Sequence, residues 1–175
     1  EVHRAKEMKC EPGYYCKDGI KSLCEKGYWG SGFGMTDPHC SGVCQEGFYC
    51  PEGSTGPTEV MCGDASVYCP EGSWEPAAVP EGYVSTGGDH STRTGKEIVK
   101  KGSYALSGVE YVCQAGHYGA SVGLSTPECT GKCDVPGFYC PPGSIFPTQH
   151  ACGGDDHVCP AGTGAQVVVL PGFYT

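Results

Sequence analysis

Cysteine is the residue type with the clearest chemical potential in this sequence. The chain has 14 cysteines among 175 residues, about 8%, which is a density typical of disulfide scaffolds and rarely kept reduced in the cytosol. The even count allows every thiol to pair. Because thiolates also bind zinc and act as nucleophiles, disulfide formation has to be weighed against metal binding and catalysis.

Two segments of the chain carry the same cysteine pattern. A shift of 89 residues, which becomes 90 after a one-residue insertion near Pro136, superimposes six cysteines on six others. The matched sets are Cys24, Cys40, Cys44, Cys50, Cys62 and Cys69, and Cys113, Cys129, Cys133, Cys140, Cys152 and Cys159. The blocks GFYCPEGS and GFYCPPGS nearly coincide. The sequence therefore predicts two tandem cysteine-rich repeats, residues 1–85 and 86–175.

Cys10 and Cys16 are the two cysteines without a counterpart in the second repeat. The same shift places them on Val99 and Ala105. Both are absent together, which a bonded pair requires, because losing one partner would strand a free thiol. We therefore predict a Cys10–Cys16 disulfide.

The spacing between these two cysteines recurs along the chain. By analogy it favours the local pairs Cys44–Cys50, Cys62–Cys69, Cys133–Cys140 and Cys152–Cys159, and it leaves Cys24–Cys40 and Cys113–Cys129. Interlocked alternatives, such as Cys44–Cys62 with Cys50–Cys69, remain open. Seven disulfides of this kind can replace the apolar core that the composition does not provide.

The elements around the cysteines are expected to be short. Glycine and proline make up about a quarter of the residues, which breaks up long helices and strands. We predict a small disulfide-rich fold of short β-hairpins and irregular loops in tandem repeats, extended rather than globular, with almost no helix. Pro51-Glu52-Gly53 suits a type I turn with Pro51 second and Gly53 fourth. Residues 96–112, rich in β-branched and aromatic side chains, are expected to form the best β-ribbon.

The first and last residues of the sequence correspond to nearly the same position in the repeat. Glu1 corresponds to His90, and Thr175 corresponds to Ser85. We expect either a window on a longer array or a protomer that joins head to tail.

The sequence supports metal binding and catalysis less well than it supports disulfide formation. His39 beside Cys40 and Cys44, or His150 and His157 beside Cys152 and Cys159, could be drawn as zinc ligands, but no histidine recurs between the repeats. A structural calcium ion remains an open alternative, because acidic extracellular repeats often bind calcium. Gly119–Gly123 matches the GxSxG nucleophile pattern, yet Ser121 falls on Gly32 in the other repeat and lies inside a disulfide loop. We predict no catalytic residues, no bound cofactor and no metal site.

Charge and hydropathy exclude two classes of partner. The net charge is −9, with two arginines in the chain, so no basic face is available for nucleic acid. The longest apolar run, residues 167–170, is far too short to span a bilayer. We expect neither nucleic-acid binding nor a membrane span in this segment.

Self-association is the partner that we expect. Trp74 is matched by Gly164, so the repeat fold does not require it. The apolar strip Val167, Val168, Val169 and Leu170 would be a natural contact between units or subunits if exposed. These five residues are the predicted interface.

Glycans are a second possible contact. The sequence contains no asparagine, so the acceptor motif for N-linked glycans is absent. Asp64-Ala65-Ser66 and Asp89-His90-Ser91 have the acceptor spacing with aspartate in the asparagine position. Serines and threonines in STGGDHSTRTG are candidate O-glycan sites.

Units such as CQEGFYCPEGSTGPTEVMC and C-x-x-G-Y-x-G resemble the ephrin-receptor-like cysteine-rich repeats, relatives of the TNF-receptor type modules. The resemblance covers Cys10 to Tyr174. Arrays of this appearance also occur in protist surface fibres, including flagellar hairs (mastigonemes). The resemblance implies an extracellular or cell-surface protein with a role in adhesion, reception or fibre scaffolding, not an enzyme. We expect a structural component of an extracellular filament, flagellar hair or coat; the alternative is the ectodomain of a receptor or adhesin.

Overall fold

A computed structural model of the chain describes residues 6–174. These residues contain no helix, and their short strands form nine two-stranded sheets. The predicted small disulfide-rich, hairpin-based fold is confirmed. The strands are β1 Tyr14–Lys17, β2 Ile20–Leu23, β3 Tyr28–Trp29, β4 Gly42–Val43, β5 Phe48–Tyr49, β6 Val60–Met61, β7 Val67–Tyr68, β8 Ala77–Ala78, β9 Tyr83–Thr86, β10 Gly95–Ile98, β11 Ser103–Leu106, β12 Val109–Val112, β13 His117–Tyr118, β14 Gly131–Lys132, β15 Phe138–Tyr139, β16 His150–Ala151, β17 His157–Val158 and β18 Val167–Val168.

Each sheet is one hairpin of two consecutive strands. We number the hairpins 1 to 9 in chain order, so that hairpin 1 is β1–β2 and hairpin 9 is β17–β18. Hairpins 1 to 5 make up one sequence period, and hairpins 6 to 9 repeat the first four. Hairpin 5 (β9–β10) contains no cysteine. Hairpin 6, expected to be the best ribbon, has strands of four residues, the same length as those of hairpin 1.

A tight turn with glycine in its third position opens nearly every hairpin. In hairpin 2 the Tyr28 N–H donates to the Glu25 carbonyl over 3.0 Å. Gly27 has a φ of 84°, which only glycine adopts without strain. A Cβ atom on Gly27 would lie 2.5 Å from the Gly72 carbonyl oxygen, which belongs to hairpin 4. Glycine is required here both by the turn and by the close approach of another backbone.

The Pro-x-Gly-Ser blocks form a second kind of turn, and the predicted position of that turn was wrong by one residue. The Ser54 N–H donates to the Pro51 carbonyl over 3.2 Å, so Pro51 is first and Gly53 is third. Gly53 has a φ of 81°, which the third position of a type II turn requires and a type I turn does not. The same bond recurs in three more turns, which start at Pro70, Pro141 and Pro160.

Backbone hydrogen bonds join hairpins 2, 3 and 4 in one pattern, and hairpins 7, 8 and 9 repeat it. Between hairpins 2 and 3, Gly27 donates to Cys50 over 2.8 Å and Gly53 donates to Cys24 over 2.9 Å. Between hairpins 7 and 8, Gly116 donates to Cys140 over 2.8 Å and Gly143 donates to Cys113 over 2.9 Å. The repeated sequence therefore specifies a repeated set of inter-hairpin bonds.

The interior consists mainly of cystine. The buried apolar residues are Cys10, Cys24, Cys44, Cys50, Cys62, Cys69, Val99, Tyr104, Ala105, Cys113, Cys133, Cys140 and Cys159. Ten of these thirteen are half-cystines, so sulfur fills the space that leucine or isoleucine fills in an ordinary domain. The three others all belong to hairpin 6, where the disulfide is missing.

The chain divides into two compact units. One comprises Glu1–Ala78 with Ser85–Gly95, and the other comprises Val79–Val84 with Lys96–Thr175. The repeat boundary that we predicted between residues 85 and 86 lies inside β9. Hairpin 5, the hairpin without cysteine, thus contributes residues to both units.

Candidate functional site

Seven of the nine hairpins have one disulfide each, and no cysteine is free. Each pairs neighbouring cysteines, with Cα–Cα distances from 5.7 to 6.2 Å. This is the local set that the spacing favours over interlocked pairs. The bonds are Cys10–Cys16, Cys24–Cys40, Cys44–Cys50, Cys62–Cys69, Cys113–Cys129, Cys133–Cys140 and Cys152–Cys159.

The cysteines considered as zinc ligands are all in disulfides and offer no thiolate. The histidines beside them have other partners: the His39 ring lies 4.3 Å from the Tyr28 ring, and His157 Nδ1 lies 2.7 Å from an oxygen of Asp156. Among residues 6–174, no group of three or more His, Cys, Asp or Glu side chains could hold a metal ion.

The GxSxG segment lies in the loop between β13 and β14. The amide of Gly119 donates to Ser144 over 2.8 Å, and the amide of Gly123 donates to Val99 over 2.9 Å. Both glycine amides are therefore occupied by bonds to other hairpins, and Ser121 is exposed in a bend. No helix follows this loop in the described part of the chain. The segment thus serves to connect hairpins.

Val99 and Ala105 occupy the cystine position of hairpin 6. Their exposed fractions are 1% and 0%, as expected for side chains that take the place of a buried disulfide. The Ala105 N–H donates to Leu124 over 2.9 Å, just as the Cys16 N–H donates to Met35 over 2.8 Å in hairpin 1. Two apolar side chains therefore preserve the backbone arrangement that a disulfide holds in the other repeat.

Trp74 has a partner within its own repeat. Its side chain is 43% exposed, and the Lys26 ammonium lies 3.7 Å from the centre of its ring, a cation–π contact. In the second repeat the two positions are Ala115 and Gly164, and a Cβ atom on Gly164 would overlap that of Ala115. Trp74 thus links hairpins 2 and 4 while leaving part of its ring open to another molecule.

The apolar strip at residues 167–170 is largely exposed. Val167, Val168 and Leu170 face solvent, whereas Val169 is half-buried and donates its N–H to Asp156 over 2.8 Å. Phe173 and Tyr174, 74% and 96% exposed, line the same open groove.

Sequence reasoning identified the strip but missed these two aromatic residues. The alignment of the two repeats could have pointed to them, because they correspond to Tyr83 and Val84 of the first repeat. Both of those residues are half-buried.

The two Asp-x-Ser triplets form tight local turns. The Asp89 carboxylate accepts hydrogen bonds from the Ser91 N–H over 2.8 Å and from the Thr92 hydroxyl over 2.9 Å. The bond from the Ser91 N–H and those from the Thr92 and Ser91 hydroxyls lower the pKa of Asp89 to about 2. The Ser66 hydroxyl and then the Ser66 N–H lower the pKa of Asp64. These carboxylates order their loops as anions.

Residues 6–174 include no helix long and apolar enough to cross a membrane. No protein-family model matches the chain, and no curated protein or solved structure matches it either. The resemblance to ephrin-receptor-like repeats stays a prediction.

Proposed function

We propose that this protein is a structural component of an extracellular filament, flagellar hair or cell-surface coat. The observation that carries the proposal is that one pattern of inter-hairpin bonds recurs in both repeats. Because hairpins 2 to 4 and hairpins 7 to 9 use the same donors and acceptors, hairpins of this kind can be added without a new kind of contact. Proteins of this repetitive type serve as scaffolds whose stability comes from neighbour-to-neighbour contacts.

The covalent structure supports the proposal. Seven disulfides in one chain fit an extracellular or secreted protein. Each closes a loop of at most seventeen residues, so cutting one hairpin open would leave the disulfides of the others intact. A scaffold outside the cell benefits from this independence, since proteases and denaturing conditions act there without chaperones to repair the damage.

The experiment is direct observation of the oxidised protein. Light scattering should detect high-mass polymer, and negative-stain electron microscopy should show filaments of uniform width. Samples with reduced disulfides serve as the control and should lose the filaments. A monodisperse monomer that binds a protein ligand saturably would instead establish the alternative, a receptor or adhesin ectodomain.

One observation favours that alternative. Phe33 and Phe146 are mostly exposed, and both lie in loops between the strands of a hairpin. Exposed aromatic side chains in loops are common anchors for protein ligands. Replacing both with serine should abolish binding under the receptor hypothesis and leave filaments unchanged under the structural one.

A further inference from the structure

We propose that Tyr104 and Tyr111 form a site of oxidative cross-linking, at which a one-electron oxidant joins their two rings by a carbon–carbon bond. The product is a dityrosine within one chain, between the two strands of hairpin 6. The oxidant that this chemistry requires is a peroxidase with hydrogen peroxide. The proposal goes beyond the structural function above and does not depend on filament formation.

The two tyrosines face each other across hairpin 6. Tyr104 of β11 and Tyr111 of β12 are directly opposite in the antiparallel register. Their ring centroids lie 5.4 Å apart, and the ring planes are inclined by 21°. In a phenoxyl radical, part of the unpaired electron resides on the ring carbons next to the C–O carbon, and these carbons couple. Because the register holds the two rings in contact, rotation of the side chains is enough to bring such carbons together.

The two rings differ in their access to solvent. Tyr111 is 45% exposed, whereas Tyr104 is 7% exposed. An oxidant can therefore reach the ring of Tyr111 directly, and Tyr104 can be oxidised through the ring that it contacts. A radical on the buried Tyr104 is shielded from other chains. Its available coupling partner is Tyr111, so the arrangement favours a bond within the chain.

Hairpin 1 shows that the fold does not require the second tyrosine. Its residues at the same two positions are Tyr15 and Ser22, which are also directly opposite each other. Hairpin 1 has the disulfide Cys10–Cys16, and hairpin 6 has none. The tyrosine pair thus occurs in the hairpin that lacks a cystine, where a dityrosine would supply a covalent link between the strands.

The reaction balances with one molecule of hydrogen peroxide. Each phenol gives one electron and its hydroxyl proton to the oxidant, and the two resulting radicals form the carbon–carbon bond. The hydrogen on each coupled carbon then moves to the oxygen of its own ring, which restores two phenols. The chain loses two hydrogen atoms, and hydrogen peroxide is reduced to two water molecules. No cysteine is free, so no thiol, which is oxidised more easily than a phenol, competes for the oxidant.

The cross-link is tested by treating the full chain, with its disulfides intact, with a haem peroxidase and hydrogen peroxide. We expect dityrosine fluorescence and a chain of monomer mass that has lost two hydrogen atoms. After reduction of the disulfides, a protease that cuts after glutamate separates Tyr104 from Tyr111 at Glu110. Mass spectrometry should find the two resulting peptides joined to each other.

Three variants show whether the pair is responsible. Tyr111→Ser, which introduces the residue that hairpin 1 has at this position, should abolish the joined peptides and leave the fold intact by circular dichroism. Tyr174→Phe removes a tyrosine that is 96% exposed and is the matched control, which should leave the yield of joined peptides unchanged. Ser22→Tyr should add a second cross-link, between Tyr15 and position 22.

Two results would overturn the proposal. One is a folded wild-type chain in which dityrosine forms only between chains or not at all. The other is an equal yield of the joined peptides from a chain that is reduced and unfolded in denaturant before oxidation, because the contact in hairpin 6 would then have no part in the coupling. Neither result bears on the structural function.

Discussion

The Gly123 N–H donates a hydrogen bond to the Val99 carbonyl over 2.9 Å, and the equivalent bond in the first repeat joins Gly34 to Cys10 over 2.8 Å. The bond is conserved although Cys10 is disulfide-bonded and Val99 is not. In hairpin 6 this part of the backbone arrangement is therefore kept without a cystine. There, the turn glycine Gly102 and the bonds to hairpin 7 hold the same arrangement without a disulfide.

The first prediction restores the missing disulfide. In the double variant Val99→Cys, Ala105→Cys, an eighth disulfide should form spontaneously, because the position has the backbone bonds of hairpin 1. Closing so short a loop should stabilise the fold by about 2 kcal/mol in the chain-entropy model. Mass spectrometry without reduction detects the bond, and denaturant unfolding measures the gain. Free thiols at both positions would show that hairpin 6 differs from hairpin 1 more than its hydrogen bonds indicate.

The second prediction separates two reasons why a position requires glycine: a positive φ and the close approach of another backbone. Gly27 and Gly72 both have positive φ, but a Cβ atom would meet a backbone oxygen only at Gly27. Gly72→Ala should therefore cost about 1–2 kcal/mol, the strain of the left-handed conformation alone. Gly27→Ala should cost clearly more, about 3 kcal/mol or above, because the backbone of hairpin 4 must move. Equal losses of unfolding free energy would show that the close approach is unimportant.

Much of this arrangement could be predicted from the sequence, because the two repeats can be aligned and compared with each other. The joint absence of Cys10 and Cys16 from the second repeat predicted a pair, and its spacing then favoured the other local pairs over interlocked ones. Hairpin 5 escaped recognition since it has no cysteine, although Gly82 in PEGY carries the same turn signal. The Pro51 turn was misplaced by one residue because proline is favoured second in both type I and type II turns. Bonds between hairpins depend on three-dimensional register, which spacing alone does not reveal.

The third prediction concerns the stability of the fold at low pH. The pKa of Asp89 is lowered to about 2, so the unfolded chain binds a proton there more readily than the folded one. The stabilisation is therefore complete above about pH 4 and is lost as the pH falls through about 2. Asp89→Asn should remove this part of the acid sensitivity, which denaturant unfolding at pH 5 and pH 2 can measure. Thr92→Val, which deletes one donor, should raise the pKa in an NMR titration; a wild-type carboxyl that titrates near 4 would contradict the assignment.

The last prediction asks whether Trp74 acts within the chain. Its ring contacts the Lys26 ammonium at 3.7 Å, and an exposed cation–π pair contributes about 0.5–1 kcal/mol. A double-mutant cycle with Lys26→Ala and Trp74→Ala should give a coupling energy of this size in the unfolding of the isolated chain. The second repeat, with Ala115 and Gly164 at these positions, shows that the fold tolerates loss of both side chains. Zero coupling together with weaker self-association of Trp74→Ala would instead assign this residue to an interface between copies.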